Sequence, residues 1–230
     1  MKNISHSPTV GRIRLKPNRV KPIRLVWLAL PLVLLGLATG LCGCASVGHN
    51  FNNTAVQNLE LGQMQSSEYR SVFGEKPAAT STTSTADGTF EVARYTYAYA
   101  NLGSAKGRTL ILEFKDGKLN AFEYLSSFDE DHKAIPFDQA TRITNRVSTK
   151  SEVVNILGKP TGKALCPTTL DDYKGKCDKC VEVWSWQSMS SISTFGAAYG
   201  GARPTIQNVF IGFDKDGIVS EVTTGAVNSK

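Results

Sequence analysis

The chain has 230 residues, 26 of them Lys or Arg and 20 Asp or Glu, with a formal net charge of +6. Seven of the basic residues stand in 1–24, a stretch with no acid, so the other 19 meet 20 acidic ones. A near-neutral remainder excludes an electrostatic footprint for nucleic acid.

After that basic start comes an apolar run, LVWLALPLVLLGLATGL, over 25–41. Its 17 residues sit at the lower limit for spanning a bilayer. The basic flank, Pro31 and the closing small residues fit a secretory signal that is cleaved. The junction LCGCAS places Leu41 three before Cys44, Gly43 just before it, and Ala45 and Ser46 after it. This resembles the lipobox of bacterial lipoproteins. The resemblance implies acylation of Cys44, palmitate included, as the first residue of the mature chain. Several acyl chains hold a protein on a membrane, since each buried CH₂ contributes about 0.8 kcal/mol. Ala45 in place of Asp after the cysteine implies the outer membrane, on its periplasmic side. Residues 1–43 are therefore expected to be a signal peptide and 44–51 a lipidated tether.

A repeat follows. Aligning Gly74 with Gly158 brings QSSEYRSVFGEKP onto TKSEVVNILGKP, with Glu68 on Glu152, Tyr69 on Val153, Val72 on Ile156 and Phe73 on Leu157. Thr149 with Glu152 predicts a capping box, in which side chain and backbone satisfy each other at a helix start. Gly158 and Pro160 predict its end. Upstream, Val56 and Leu59 fall on Ala140 and Ile143 in a second candidate helix of each copy. Pro136 suits entry into the later one. Downstream, 90–100 and 181–187 are rich in β-branched and aromatic residues. The stretches 109–125 and 208–224 each carry Phe, then Asp-Gly, inside alternating runs, a strong hairpin signal. Each copy thus predicts helix–helix–strand–strand–strand, an α+β fold of two tandem antiparallel units. Their expected bounds are 52–127 and 135–230, with a linker at 128–134.

LELGQMQSSEYRSVFGEKP and RVSTKSEVVNILGKPTG resemble the SmpA/OmlA (BamE-like) lipoprotein domain. Two such units in tandem are similar to the β-lactamase-inhibitory protein fold. The resemblance implies a periplasmic protein- or envelope-binding role, in outer-membrane assembly or envelope integrity. The first copy departs from the motif at Tyr69 and Glu75, and the second has Arg146 where the motif has Gly.

Three cysteines remain after Cys44: Cys166, Cys177 and Cys180. An oxidising compartment favours pairing. A Cys166–Cys180 bridge would close the polar loop at its base, with Cys166–Cys177 the competitor. Cys177-x-x-Cys180 alternatively suggests a thiol–disulfide enzyme, although the βαβ setting of such sites is missing. Zinc needs four ligands, and histidine is too scarce to supply them. No metal or cofactor is expected. No catalytic triad, nucleophile elbow or nucleotide-binding glycine pattern occurs, so a non-enzymatic protein is expected. Asp129–Asp131 and Asp171-Asp172 are taken as solvated loop charge. The stretches 81–88 and 188–204 are expected to be long hairpin loops. In the second, Met189, Ile192, Phe195 and Tyr199 are candidates for contact with a protein partner, because long loops in compact domains are often functional. Trp184, Trp186, Tyr95, Tyr97 and Tyr99 are expected on the core face of the sheet.

Overall fold

A computed structural model describes residues 45–101, 103–131, 135–193 and 204–228. The α+β expectation of two helix–helix–strand units is overturned. The described residues form a mostly β protein built on one ten-stranded antiparallel sheet, with short helices. The strands are β1 (Ala45–Gly48), β2 (Ala79–Thr85), β3 (Gly88–Ala100), β4 (Ser104–Lys115), β5 (Lys118–Ser126), β6 (Gly162–Leu165), β7 (Glu182–Met189), β8 (Ile192–Ser193), β9 (Thr205–Phe213) and β10 (Val219–Asn228). Their spatial order is β1-β3-β4-β5-β6-β7-β9-β10. β2 lies beside β3, and β8 beside β4.

The helices are α1 (Tyr69–Phe73), α2 (Lys150–Leu157) and α3 (Asp171–Lys174). The two upstream helices of the sequence reading are only 3-10 turns, Thr54–Asn58 and Phe137–Arg142. Segments this short cannot recover the cost of helix nucleation from their own hydrogen bonds, so the sheet they cover organises them. Much of the chain expected as loop is strand. The Ala, Ser and Thr residues of 79–85, all exposed, pair with β3 as an edge strand. The segment taken as a tether also joins the fold, with Ala45–Gly48 paired to Ala100–Tyr97 and Phe51 buried.

The aligned positions nevertheless sit in corresponding places. Val56, Leu59, Tyr69 and Phe73 pack with Tyr95, Leu112 and Phe114 in one core. Ala140, Ile143, Val153 and Leu157 pack with Trp186, Ile211 and Phe213 in a second. Both cores lie on the same face of the sheet. On the opposite face the segment around α3 covers the centre, with Leu170, Tyr173 and Cys180 packed on Ala121, Ala164, Val183 and Phe210. The central strands are thus buried on both sides, which explains small residues there. A Cβ on Gly162 would lie 2.2 Å from the Tyr173 hydroxyl, 2.6 Å from Ser185 Oγ and 2.8 Å from the Phe122 carbonyl oxygen.

Candidate functional site

Between the two helical coverings lies a groove of about 690 Å³. Its walls come from both halves of the chain. The first 3-10 turn contributes Val56 and Gln57, and the residues after it Leu59 and Glu60. α2 contributes Val154, Ile156 and Leu157. Phe122, Tyr124, Lys163 and Trp184 rise from β5, β6 and β7. The helical period decides which part of α2 faces where. Val153 and Leu157 are buried against the second core, whereas Val154 and Ile156 stay half-buried and accessible to the groove.

Local chemistry fixes α2 in place. Thr149 accepts from the Glu152 backbone N–H while the Glu152 carboxylate accepts from the Thr149 N–H at 2.7 Å, closing the capping box. Gly158 ends the helix at φ +80°, a conformation that favours glycine. Its carbonyl accepts from Trp186 Nε1 at 3.0 Å, which ties the helix end to the sheet. The first copy reproduces half of this cap, the Gln65 N–H donating to the Glu68 carboxylate at 2.8 Å.

Charged groups stand at the groove's margins. Lys163 Nζ lies 2.8 Å from the Glu60 carboxylate and 5.2 Å from the Trp184 ring centre. Asp131, part of a cluster expected to be solvated, has a side chain only 1% exposed and is ion-paired with buried Arg108 at 3.3 Å. It also accepts from Tyr124 at 2.7 Å, from Ser126 at 2.6 Å and from Asn53. Burial, and then the bond to Asp131, push the Tyr124 hydroxyl well above its ordinary range. Asp131 is therefore a structural bracket that joins the inter-repeat segment to β4 and β5.

The opposite face holds a second set of acids. Glu113, fully buried, accepts from Asn120 Nδ2 and Thr168 Oγ1 at 2.8 Å, from the Thr169 N–H at 2.7 Å, and from the Thr169 hydroxyl. It thereby binds the start of the covering segment to the sheet. Glu123 accepts from Gln187 Nε2 at 3.1 Å. Burial, with the neighbouring Asp172 charge and a hydrogen bond to it, raises the Glu123 carboxyl to about 7. Asp172, although exposed, is thus more than solvated loop charge. Tyr173 and Ser185 hydroxyls complete this layer at 2.7 Å.

The cysteine pairing differs from the expected Cys166–Cys180 bridge: Cys166 is joined to Cys177, with their Cα atoms 5.5 Å apart. Turning through α3 brings Cys177 back beside Cys166, while Cys180 is buried against the sheet. The Cys180 thiol donates to the Lys176 carbonyl at 2.9 Å, and burial pushes its pKa up to about 11. It is consequently a thiol at neutral pH, whereas exchange chemistry needs the thiolate.

Of the partner-contact candidates, Met189 ends β7 and Ile192 opens β8, both half-buried and away from the groove. Phe195, Tyr199 and Cys44 lie outside the described residues. Trp184, Trp186 and Tyr95 are buried; Tyr97 and Tyr99 are half-buried. Among the described residues no group of three or more His, Cys, Asp or Glu gathers to hold a metal.

Sequence reading missed the groove itself. Its one available signal was the asymmetry of α2, where Val154 and Ile156 extend the apolar pattern beyond the stripe that a core face needs. Glu113, Asn120 and Thr168 gave no signal, because their meeting depends on how the 166–180 segment folds back. No protein-family model, curated protein or solved structure matches this chain.

Proposed function

We propose that the protein is a non-enzymatic lipoprotein, anchored in the outer membrane through acylated Cys44 and facing the periplasm, that binds an envelope protein. The basic leader, the apolar run and the LCGCAS junction support the anchoring. The groove carries the binding reading. Its volume, about 690 Å³, falls within the roughly 300–1,000 Å³ usual for binding clefts. Its lining combines apolar side chains with a few polar groups, as such clefts do.

The chemistry of the lining selects a partner segment. Val56, Leu59, Val154, Ile156 and Trp184 suit aliphatic or aromatic side chains, while Gln57 and Lys159 are placed to meet its polar backbone. A short amphipathic stretch of an envelope protein fits both requirements. A contribution to outer-membrane assembly or envelope integrity accords with the SmpA/OmlA resemblance. The raised thiol of Cys180 and the Cys166–Cys177 pairing favour this reading over a thiol–disulfide enzyme.

A photo-crosslinking residue at exposed Gln57, used in intact cells, tests the proposal. It should capture a discrete envelope protein, and Ile156→Glu should abolish the adduct while the circular dichroism spectrum is kept. Adducts that persist with Ile156→Glu, or that form equally from Thr82 on the edge strand, would overturn the groove as the binding site.

A further inference from the structure

The registers of β1, β3, β4 and β8 place four residues in one row across the end of the sheet. Ala45 is partnered with Ala100, Ala100 with Ala105, and Ala105 with Ile192. Cys44 is joined directly to Ala45. The row therefore lies within about 15 Å of the acylated residue, at about 4.8 Å per strand. No slack separates the anchor from the fold, because pairing begins at the next residue.

The same end of the sheet is short of carboxylates. No acid occurs between Glu91 and Glu113, which spans the end of β3 and most of β4, or between Glu182 and Asp214, which spans β7 to β9. The rim there is built of Ala45, Ala100, Gly103, Ser104, Ala105 and Ile192, with Val47 beside it 72% exposed. The nearest acids, Asp129 and Glu130, are paired with Lys106 and Arg108. The other end of the sheet carries its tight turns with Asp87, Asp116, Asp214 and Asp216. Among the described residues the anchor and these acidic turns thus lie at opposite ends of the strands, and the carboxylates near the anchor are held in ion pairs.

We infer that this end of the sheet, whose nearby carboxylates are paired, rests on the bilayer surface, so that the strands stand away from the membrane and the acidic turns project into the periplasm. The inference rests on acylation of Cys44. Approaching a headgroup layer strips water from whatever lies beneath, a large cost for an unpaired carboxylate and a small one for Ala, Gly, Ser or Val. Thirteen residues of β3 separate the two ends, which at about 3.3 Å per residue keeps the acidic turns roughly 40 Å from the membrane.

The test uses the mature acylated protein, purified from membranes and reconstituted in phosphatidylcholine vesicles whose headgroups carry a nitroxide quencher. A fluorophore is attached at Gly103→Cys, where a Cβ meets its nearest neighbour at an ordinary 3.6 Å, or at Val47→Cys as a second rim position. Asp87→Cys reports the opposite end. Acylation blocks Cys44, Cys166 and Cys177 are paired, and Cys180 is buried, so each label reports its own position. Quenching of the rim probes should be several-fold stronger than at Asp87→Cys. Equal or reversed quenching in vesicle-bound protein would overturn the orientation alone. Protein that fails to float with the vesicles would instead overturn the acylation and the inference with it. Energy transfer between rim probes on two copies, in detergent with micelles in excess over protein, would assign the surface to a second copy and overturn the bilayer contact.

Discussion

Lys163 crosses the groove to Glu60, its ammonium 2.8 Å from a carboxylate 103 positions earlier in the chain. One partner is 65% exposed, so the pair contributes little to stability, within the roughly 0–1 kcal/mol usual at surfaces. It defines the groove's margin more than it holds the fold. Glu60→Gln should leave the urea midpoint almost unchanged. A double-mutant cycle with Lys163→Met should give a coupling below about 1 kcal/mol.

Gly162 should tolerate no side chain. Its missing Cβ makes room for the Phe122 carbonyl and for the Tyr173–Ser185 hydroxyl pair. The hydroxyls can rotate away, but the strand carbonyl cannot. Gly162→Ala should destabilise by an amount at or above the upper end of the roughly 1–3 kcal/mol of overpacking. Tyr173→Phe should only partly restore the loss, as measured by urea unfolding.

Glu113 should behave as a structural acid. Removing it strands the Thr168 and Thr169 donors, at about 1–3 kcal/mol for each group left unsatisfied, while Asn120 keeps the Leu165 and Pro167 carbonyls. Glu113→Ala should therefore loosen the 166–180 segment as well as lower the global stability. Faster hydrogen exchange at the Thr169, Leu170 and Tyr173 amides would register the loosening.

Acidification below neutrality should stabilise the fold through Glu123. Its carboxyl is raised from an ordinary 4.5 to about 7, so between those values the folded state binds more protons than the unfolded one. Stability should fall as pH rises through that window, by roughly 3 kcal/mol at most. Asp172, Arg94 and Tyr173 face the same group. Glu123→Gln should flatten the profile between pH 5 and pH 7, read from urea midpoints across that range.

Peptide mapping without reduction should recover Cys166 bound to Cys177, with Cys180 alkylated only after unfolding. Closing a loop of this length is worth about 3 kcal/mol in the chain-entropy account. Reduction should lower the urea midpoint accordingly without exposing Trp186.

Much of the local order was legible in the sequence. Thr149–Glu152, Gly158 and the Asp-Gly turns announced themselves because caps and hairpins are governed by neighbours a few residues apart. The offset of 84 brought together positions that are buried alike, Phe73 with Leu157 and Val56 with Ala140. The illegible parts were those set by tertiary pairing. Residues 79–85 carry only Ser, Thr and Ala, and become a strand because the long edge of β3 offers partners. Cys177 was favoured over Cys180 by the one-turn helix α3, whose burial of Tyr173 reverses the chain. The groove required both helical coverings at once, and a single amphipathic pattern reports only its own element.

The seam between the halves sets how the molecule comes apart. β5 and β6 share three partner pairs, from Ala121–Ala164 to Glu123–Gly162, where β3 and β4 share eleven. The 166–180 segment, stapled by its disulfide and bonded to Glu113, lies across that seam like a splint. While it holds, both cores should melt in a single cooperative transition. Once it is released, the weakest rungs should govern, and the chain should divide into two partly independent folding units.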